Sequence, residues 1–395
     1  MKSNLNFLFC VALICSAYGC SQQSDSQVSE VIVDGHTMYA LSLNNLKSDT
    51  KTVPLSSLVE NCELIQLETN DDAFVNPWFT TITEKYIGAS QENFGPFMLF
   101  DRSGKFLCKV GAIGQGPGEY TSGVYDAMID DRNELIYLSF YMSNKILIYN
   151  TSGQFVKEIV APISLVKSKI FLSEDTLTVV HMSFSNNNAM AYQFDINTGT
   201  VLKEVAPVEH LIVGSFDYDI INTRNAPGIF DFSFMNCDTL YHYDLNDNKM
   251  LPVFNMTYSS SEKPLMFYFQ INNELLFTNV LFLGIDPSTE RQRYIPRGLV
   301  ATDLKNKTSS YITIVNDYYG NMPVQVSFFT FFHGHYVFNV QPEQLIEEIE
   351  TRFAQSSCTE KDKQILNQTL STLKANENNV VFIGKLKTDI NAKLW

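Results

Sequence analysis

The sequence contains 395 residues, 45% of them hydrophobic, and its 43 acidic against 28 basic side chains give a formal net charge of −15. Proteins that bind nucleic acid depend largely on Lys and Arg to neutralise phosphates, so this balance argues against a nucleic-acid partner. The length permits two domains, but all-β folds often fill several hundred residues as one unit. The choice between one domain and two therefore depends on the internal organisation of the chain.

The first residues have the order of a secretory signal. A basic Lys2 precedes an apolar run over residues 7–15, and small residues follow up to Cys20. That run is too short to span a bilayer, and no later stretch reaches the roughly 18 apolar residues that a transmembrane helix needs. The pattern predicts a signal peptide over residues 1–19.

Cys20 follows Gly19 in a way that resembles a bacterial lipobox, in which the cysteine receives a diacylglycerol and becomes the acylated N-terminus. Cys20 is therefore the predicted lipidation site. Residues 20–30 are predicted to be the lipidated N-terminus and a flexible tether, and residues 31–395 the folded domain. The alternative is an ordinary cleaved signal peptide with no lipid.

One phrase recurs along the chain: an apolar strand, a turn that starts with Asp or Asn, and a second strand. The spacing of 45 to 59 residues is typical of propeller blades. Asp and Asn suit such turns because their side chains bond the backbone two residues on. Another pair of short strands precedes each phrase, which predicts four strands per blade. The five turn residues are Asp101, Asn150, Asp195, Asp244 and Asp303.

A sixth blade is interrupted by a polar insertion. The hairpin pattern SFFTFFHGHYVFNV precedes the insertion at about residues 342–378, and NVVFIGKLK returns to strand pattern after it. Apolar residues on one face predict two amphipathic helices there. A propeller must close its ring, since an unpaired outer strand is an aggregation hazard, and Asn61 to Glu68 is the predicted closing strand. The fold class is all-β, a six-bladed β-propeller of four-stranded blades with a short helical insertion in the last blade.

Four segments carry a resemblance to a family: LSSLVENCELIQLET, KVGAIGQGPGEY, CDTLYHY and NVVFIGKLK. With them the chain resembles the six-bladed β-propeller lipoproteins of Bacteroidetes-type bacteria, relatives of NHL-repeat and TolB-like propellers. The resemblance implies fold, export and lipid anchoring in the cell envelope, at the outer membrane, with the side left open. It implies no settled activity.

A glycine-rich phrase supplies one candidate ligand site. Backbone N–H groups around Gly114, Gly116 and Gly118 can form a nest that holds an anion, with Glu119 and Tyr120 at the channel mouth. No Lys-Ser or Lys-Thr follows, so the phrase is not a P-loop. The alternative interpretation is a structural turn between two blades.

No metal or cofactor is predicted. His333 and His335 alternate around Gly334 and would share one face of a strand, yet they have no third ligand nearby, and Gly334 equally marks a hairpin tip. The remaining cysteines are far apart and lack metal spacing, so free, buried thiols are the predicted state. They are Cys62, Cys108, Cys237 and Cys358.

No residue is predicted to be catalytic. The acidic pairs at 71–72, 130–131 and 217/219 are interpreted as solvated turns, while aromatic loops at 216–218 and 317–319 can stack on a sugar or grip a peptide. The predicted function is a membrane-anchored binding or scaffold module for a protein, peptide or glycan partner, through a propeller face. An envelope hydrolase or lyase with its site over the central channel is the alternative, and a third hypothesis gives partner docking to the helical insertion.

Overall fold

A computed structural model describes residues 27–390 except 93, 186–187, 236, 260–262 and 287–289. The predicted signal peptide, the lipidation site Cys20 and most of the predicted tether lie outside the described residues. The first strand begins at Val28, so it overlaps the end of the predicted tether.

The protein is an all-β propeller of six four-stranded blades, as predicted. Four strands precede the first complete blade: β1 Val28–Val33, β2 His36–Ser42, β3 Thr50–Pro54 and β4 Glu63–Gln66. Blade I is β5 Pro77–Ile82, β6 Tyr86–Gln91, β7 Phe97–Asp101 and β8 Phe106–Val110, and the short pair β9 Ala112–Ile113 and β10 Glu119–Tyr120 follows it. Blade II is β11 Val124–Asp130, β12 Leu135–Phe140, β13 Met142–Asn150 and β14 Phe155–Val166.

The remaining blades continue around the ring. Blade III is β15 Lys169–Ser173, β16 Thr176–Val180, β17 Ala191–Asp195 and β18 Val201–Val205. Blade IV is β19 Ile220–Ile221, β20 Phe230–Phe234, β21 Thr239–Asp244 and β22 Lys249–Thr257. Blade V is β23 Leu265–Gln270, β24 Leu275–Ile285, β25 Gln292–Asp303 and β26 Thr308–Asn316, with β27 Met322–Val324 added. Blade VI is β28 Phe331–Phe332, β29 His335–Val340, β30 Val380–Lys385 and the early strand β4.

The ring closes through a strand from the start of the domain. Strand β4 pairs antiparallel with β30, with Gln66 opposite Val380 and Glu63 opposite Ile383. This confirms the predicted closing strand, and it removes the free edge that the last blade would otherwise present. Two further early strands run parallel to outer strands, β2 beside β22 and β3 beside β26.

The predicted Asp and Asn turns join the two outer strands of five blades. In blade I the Asp101 carboxylate accepts the backbone N–H of Ser103 at 2.9 Å, and Asp195 accepts that of Asn197 at the same distance. Gly104 has a φ of +87°, and a Cβ at this position would lie 2.6 Å from the Gln66 carbonyl oxygen. Only glycine therefore lets this hairpin pack on the closing strand.

The predicted insertion forms helices α1 Pro342–Phe353 and α2 Glu360–Thr372. Leu345 and Ile349 of α1 and Leu366 of α2 are buried in the apolar core that blades V and VI share. Arg352 and Asp362 join the helices through a buried ion pair of 3.3 Å. Among the described residues, no helix is long and apolar enough to cross a membrane.

The four described cysteines have free thiols, as predicted. Cys358 is buried, whereas the other three are only half-buried, so the expectation of full burial was wrong for Cys62, Cys108 and Cys237. Burial still raises the pKa of the Cys62 thiol to about 12 and that of Cys108 to about 11. Such thiols stay protonated near neutral pH and are poor nucleophiles.

Candidate functional site

The glycine-rich phrase forms a self-contained loop between blades I and II. The Glu119 carboxylate accepts the backbone N–H of Gly116 at 2.8 Å, and the Glu119 N–H donates to the Gly116 carbonyl at 3.0 Å. Gly118 adopts a φ of +71° beside the Phe155 ring, and the side chain of Glu119 also lies against Gly114. The loop thus places its own carboxylate where a nest would hold an external anion. The predicted ligand site stays a prediction, and this geometry favours the structural interpretation.

Tyr120 lies in the core and not at the mouth of the channel. Its hydroxyl donates to the Val110 carbonyl and accepts the Phe97 N–H, both at 2.9 Å. Burial raises the pKa of Tyr120 to about 12. This side chain ties the loop to blade I, and its two bonds leave it little capacity for a ligand.

The two neighbouring histidines do not form a metal site. His333 occupies a tight turn with a φ of +52°, followed by Gly334, so it is not on a strand with His335. Its Nδ1 lies 2.7 Å from the Thr81 hydroxyl, and burial and the nearby positive charge of Arg224 lower the pKa of His333 well below its usual range. Within the described part of the chain, no group of three His, Cys, Asp or Glu side chains is placed to hold a metal ion.

The innermost strands of the blades face the central channel, and a cluster of charged side chains lies among them. Arg224 follows β19 in the left-handed region, with a φ of +53°, and its guanidinium bonds the fully buried carboxylate of Asp126 at 2.7 Å. The guanidinium also donates to the Ile170 carbonyl and lies 5.2 Å from the centre of the Phe332 ring. The second Asp126 oxygen accepts the Ile170 N–H at 2.8 Å.

Asp231 is the second buried carboxylate of this cluster. It accepts the backbone N–H of Thr223 at 2.8 Å, that of Arg224 at 2.7 Å and the Thr223 hydroxyl at 2.8 Å. The chain's own donors therefore satisfy both acids, and general acid or base chemistry would require a carboxyl free to reach a substrate proton. We call the cluster of Arg224, Asp126 and Asp231 the plug. Its contacts link blades II, III, IV and VI.

A small cavity of about 20 Å³ lies next to the plug, and we call it the channel chamber. Its polar walls are Lys169, Asn222 and Asp219, and its aromatic walls include Trp78, Tyr125 and Phe329. Lys169 and Asn222 are each only 2% exposed. The chamber is large enough for a group of about the size of one water molecule.

The polar groups of the chamber are unequally satisfied. Asp219 forms an ion pair of 2.9 Å with Lys167 and accepts the Tyr125 hydroxyl at 2.9 Å. Lys169 has only a 3.4 Å contact to the Tyr125 carbonyl, and its ammonium lies 4.5 Å from the centre of the Tyr125 ring. Neither Oδ1 nor Nδ2 of Asn222 has a hydrogen-bond partner among the described residues.

A second candidate surface is the end of the β24–β25 hairpin. Strand β23 accompanies β24 only as far as Leu281, and β26 accompanies β25 only as far as Leu299, so beyond these points the hairpin is a two-stranded projection. Leu283 lies directly opposite Tyr294, and Ile285 is two residues further along the same face. The three side chains are 47%, 46% and 65% exposed, respectively.

A surface groove of about 540 Å³ borders this hairpin, and Leu283 is among the residues that line it. Phe282, Ile295 and Tyr311 supply apolar walls, and Leu43 from the N-terminal segment lines the same groove. The guanidinium of Arg297 lies 5.7 Å from the centre of the Phe282 ring. The projection therefore presents apolar surface, with an arginine beside the groove.

Neither the channel chamber nor the hairpin surface was predicted from the sequence. Lys169, Asn222 and Arg224 come from separate blades or from a short connection, so nothing in the local pattern marks them as neighbours. The hairpin left a detectable signal: apolar Leu283 and Ile285 continue the strand pattern of β24 well beyond the length of β23. The aromatic loop at 216–218 was predicted to bind a ligand through its rings. In the structure its backbone holds Lys167, the partner of Asp219, because the carbonyls of Phe216 and Tyr218 accept hydrogen bonds from the Lys167 ammonium at 2.6 Å each.

Comparison with known proteins supplies a family and a fold. The DUF4934 family, described as a domain of unknown function, matches residues 39–385. None of the curated proteins matches the chain. A solved structure from Bacteroides fragilis NCTC 9343, described as a candidate exported protein, is 14% identical with a TM-score of 0.56, over 86% of this chain and 100% of that one. A DUF4221 family member from Bacteroides vulgatus ATCC 8482 is 12% identical with a TM-score of 0.47, over 84% and 98%.

Proposed function

The chain belongs to the DUF4934 family of domains of unknown function, and we propose that it is an exported lipoprotein that binds a protein partner through one face of its propeller. Export is supported by the signal-like order of residues 1–19, which precede the family match at residues 39–385. The similar Bacteroides fragilis structure is described as a candidate exported protein, which agrees with this part of the proposal. Cys20 is the proposed point of lipid attachment.

Lipid attachment has a direct test. In cells grown with radiolabelled palmitate, the wild-type protein should carry the label and sediment with membranes, because two or three acyl chains hold a protein firmly on a bilayer. Cys20→Ser should lose both properties, and Cys62→Ser, a control in the folded domain, should keep both. Equal labelling of the Cys20→Ser protein would contradict the proposed anchor.

The observation that carries the binding function is the apolar face of the β24–β25 projection. Leu283, Ile285 and Tyr294 are close together on one face and about half exposed or more. A cluster of this kind on a projecting element is typical of a protein interaction site, whereas single exposed apolar residues are ordinary. Packing within blade V does not require this apolar face, because the face lies beyond the ends of the neighbouring strands β23 and β26.

The surroundings of this face indicate what kind of partner it fits. Arg291 is exposed near the tip of the same hairpin, and exposed Arg297 lies over the Phe282 ring beside the groove, in a chain with a formal net charge of −15. Arginine is enriched at protein interfaces, and carboxylates on a partner would pair with it at the rim. We therefore propose a partner that presents an apolar centre bordered by acidic side chains.

Site-specific photo-crosslinking tests this surface. A photoreactive residue at Ile285 should give a discrete protein adduct in the native cell envelope, and one at Leu202, which is 50% exposed on blade III, should not. Leu283→Asp should remove the adduct formed from position 285, because it places a charge in the apolar contact. Adducts with lipid only, or identical products from both positions, would contradict the proposal.

A further inference from the structure

The channel chamber has the features of an anion site. Lys169 is a buried ammonium group, and a buried charge is costly unless an opposite charge or strong hydrogen bonds compensate it. The carboxylates near it are already engaged, Asp126 by Arg224 at 2.7 Å and Asp219 by Lys167 at 2.9 Å. Lys169 forms no ion pair with any described residue.

Asn222 is the second, independent observation. Its side-chain amide lines the same chamber, is 2% exposed as a residue, and has no partner at either polar atom among the described residues. Buried side-chain amides in folded proteins are nearly always hydrogen-bonded, so such an amide indicates a group that binds there. The Nδ2 of Asn222 is a hydrogen-bond donor, so a negatively charged acceptor can contact it and the Lys169 ammonium together.

The aromatic walls narrow the class of ligand. Trp78, Tyr125 and Phe329 line the chamber, whose volume is about 20 Å³. This volume admits a single small group, and the low polarity around it strengthens attraction between Lys169 and an anion. A large or multiply charged anion such as sulfate does not fit this space.

We propose that the channel chamber binds a small monovalent anion, held by the Lys169 ammonium and the Asn222 amide against the aromatic walls. The anion is chloride, because it is monatomic and close to a water molecule in size, whereas even the smallest carboxylate has three heavy atoms. The site is distinct from the hairpin surface and does not depend on the proposed partner binding.

Trp78 makes the site observable. It is one of two tryptophans in the chain, so Trp395→Phe leaves a single fluorophore in the wall of the chamber. In that protein, sodium gluconate, whose anion is too large for the chamber, is replaced by sodium chloride at constant ionic strength. A saturable change in Trp78 emission and a rise in the thermal midpoint are expected, because a ligand that binds the folded state stabilises it.

Two variants of the chamber and one control decide the outcome. Lys169→Met removes the charge, and Asn222→Asp supplies a carboxylate of nearly the same shape, so each should weaken anion binding at least tenfold. Lys105→Met, at an exposed lysine in a blade I turn, should bind like the parent protein. Sodium formate should give no saturable response, because three heavy atoms exceed the volume of the chamber.

Two results would overturn the proposal. One is that chloride changes neither the emission nor the thermal midpoint of the single-tryptophan protein, which would mean that the chamber holds water at most. The other is that Lys105→Met weakens the response as much as Lys169→Met, which would assign it to the surface charge of the protein. Because Asn222→Asp is nearly isosteric, it tests the site even if Lys169→Met does not fold.

Discussion

Two buried cations of the central channel, Arg224 and Lys169, differ in how the fold satisfies them. The Arg224 guanidinium has a carboxylate partner in Asp126, a backbone carbonyl and an aromatic face. The Lys169 ammonium has one long contact to a carbonyl and two aromatic rings within 5.5 Å. The contacts of the first cation hold blades together, whereas the second is the one that we propose to bind an anion.

The largest loss of stability is expected when the ion pair between Arg224 and Asp126 is broken. Arg224→Leu leaves the fully buried Asp126 without its cation, and breaking a buried pair in this way costs about 3–5 kcal/mol. Urea denaturation should therefore show a free energy of unfolding lower by that amount. The double variant Arg224→Leu with Asp126→Asn should recover part of the loss, because it removes the unpaired charge. A loss below about 1 kcal/mol for the single variant would show that the pair is not structural.

Replacing Lys169 should stabilise the protein, in contrast to replacing Arg224. Burial lowers the pKa of Lys169 to about 8, from an ordinary value of 10.5, so at pH 7 the folded protein bears the cost of a desolvated charge. Lys169→Met should raise the free energy of unfolding by about 1–3 kcal/mol at pH 7, in gluconate buffer without chloride or formate. Destabilisation by the same substitution would indicate that Lys169 is a structural residue like Arg224.

The pH dependence sharpens this prediction. Between pH 8 and 10.5 the unfolded wild-type chain holds a proton on Lys169 that the folded protein has lost, so wild-type stability gains with rising pH relative to the variant. The advantage of Lys169→Met should therefore shrink over this range and disappear near pH 10.5. Other groups titrate there as well, but they are common to both proteins. Parallel stability curves from pH 7 to pH 10.5 would show that Lys169 is not titrating in this range.

The fold of this protein could be predicted from the sequence, whereas the contacts of these two cations could not. The fold follows from local patterns: alternating strands, and turns in which Asp101 or Asp195 bonds the backbone two residues on. The closing strand was predictable because a ring with a free edge is unstable. Each of these inferences needs only a short segment and a general rule.

The channel is different because its residues meet only after the ring has closed. Asp126 and Arg224 are 98 positions apart in the sequence, and nothing in the segment KSKIF distinguishes Lys169 from a surface lysine. The glycine-rich phrase shows a related limit. Its backbone indicated an anion nest, but the sequence did not indicate that the carboxylate of Glu119 would turn back onto Gly116.

That loop offers the smallest predicted effect and a further comparison with Lys169. Here the chain supplies its own anion, since Glu119 accepts the Gly116 N–H at 2.8 Å on an exposed loop. Glu119→Ala should cost only about 0.5–1 kcal/mol, because the bond is exposed to water and the freed N–H can be hydrated. In the Lys169→Met background, where the chamber no longer contributes, formate should stabilise the Glu119→Ala protein slightly more than its parent. A loss above about 2 kcal/mol would instead make the carboxylate essential to the fold of the loop, and equal responses to formate would show that the loop does not accept an external anion.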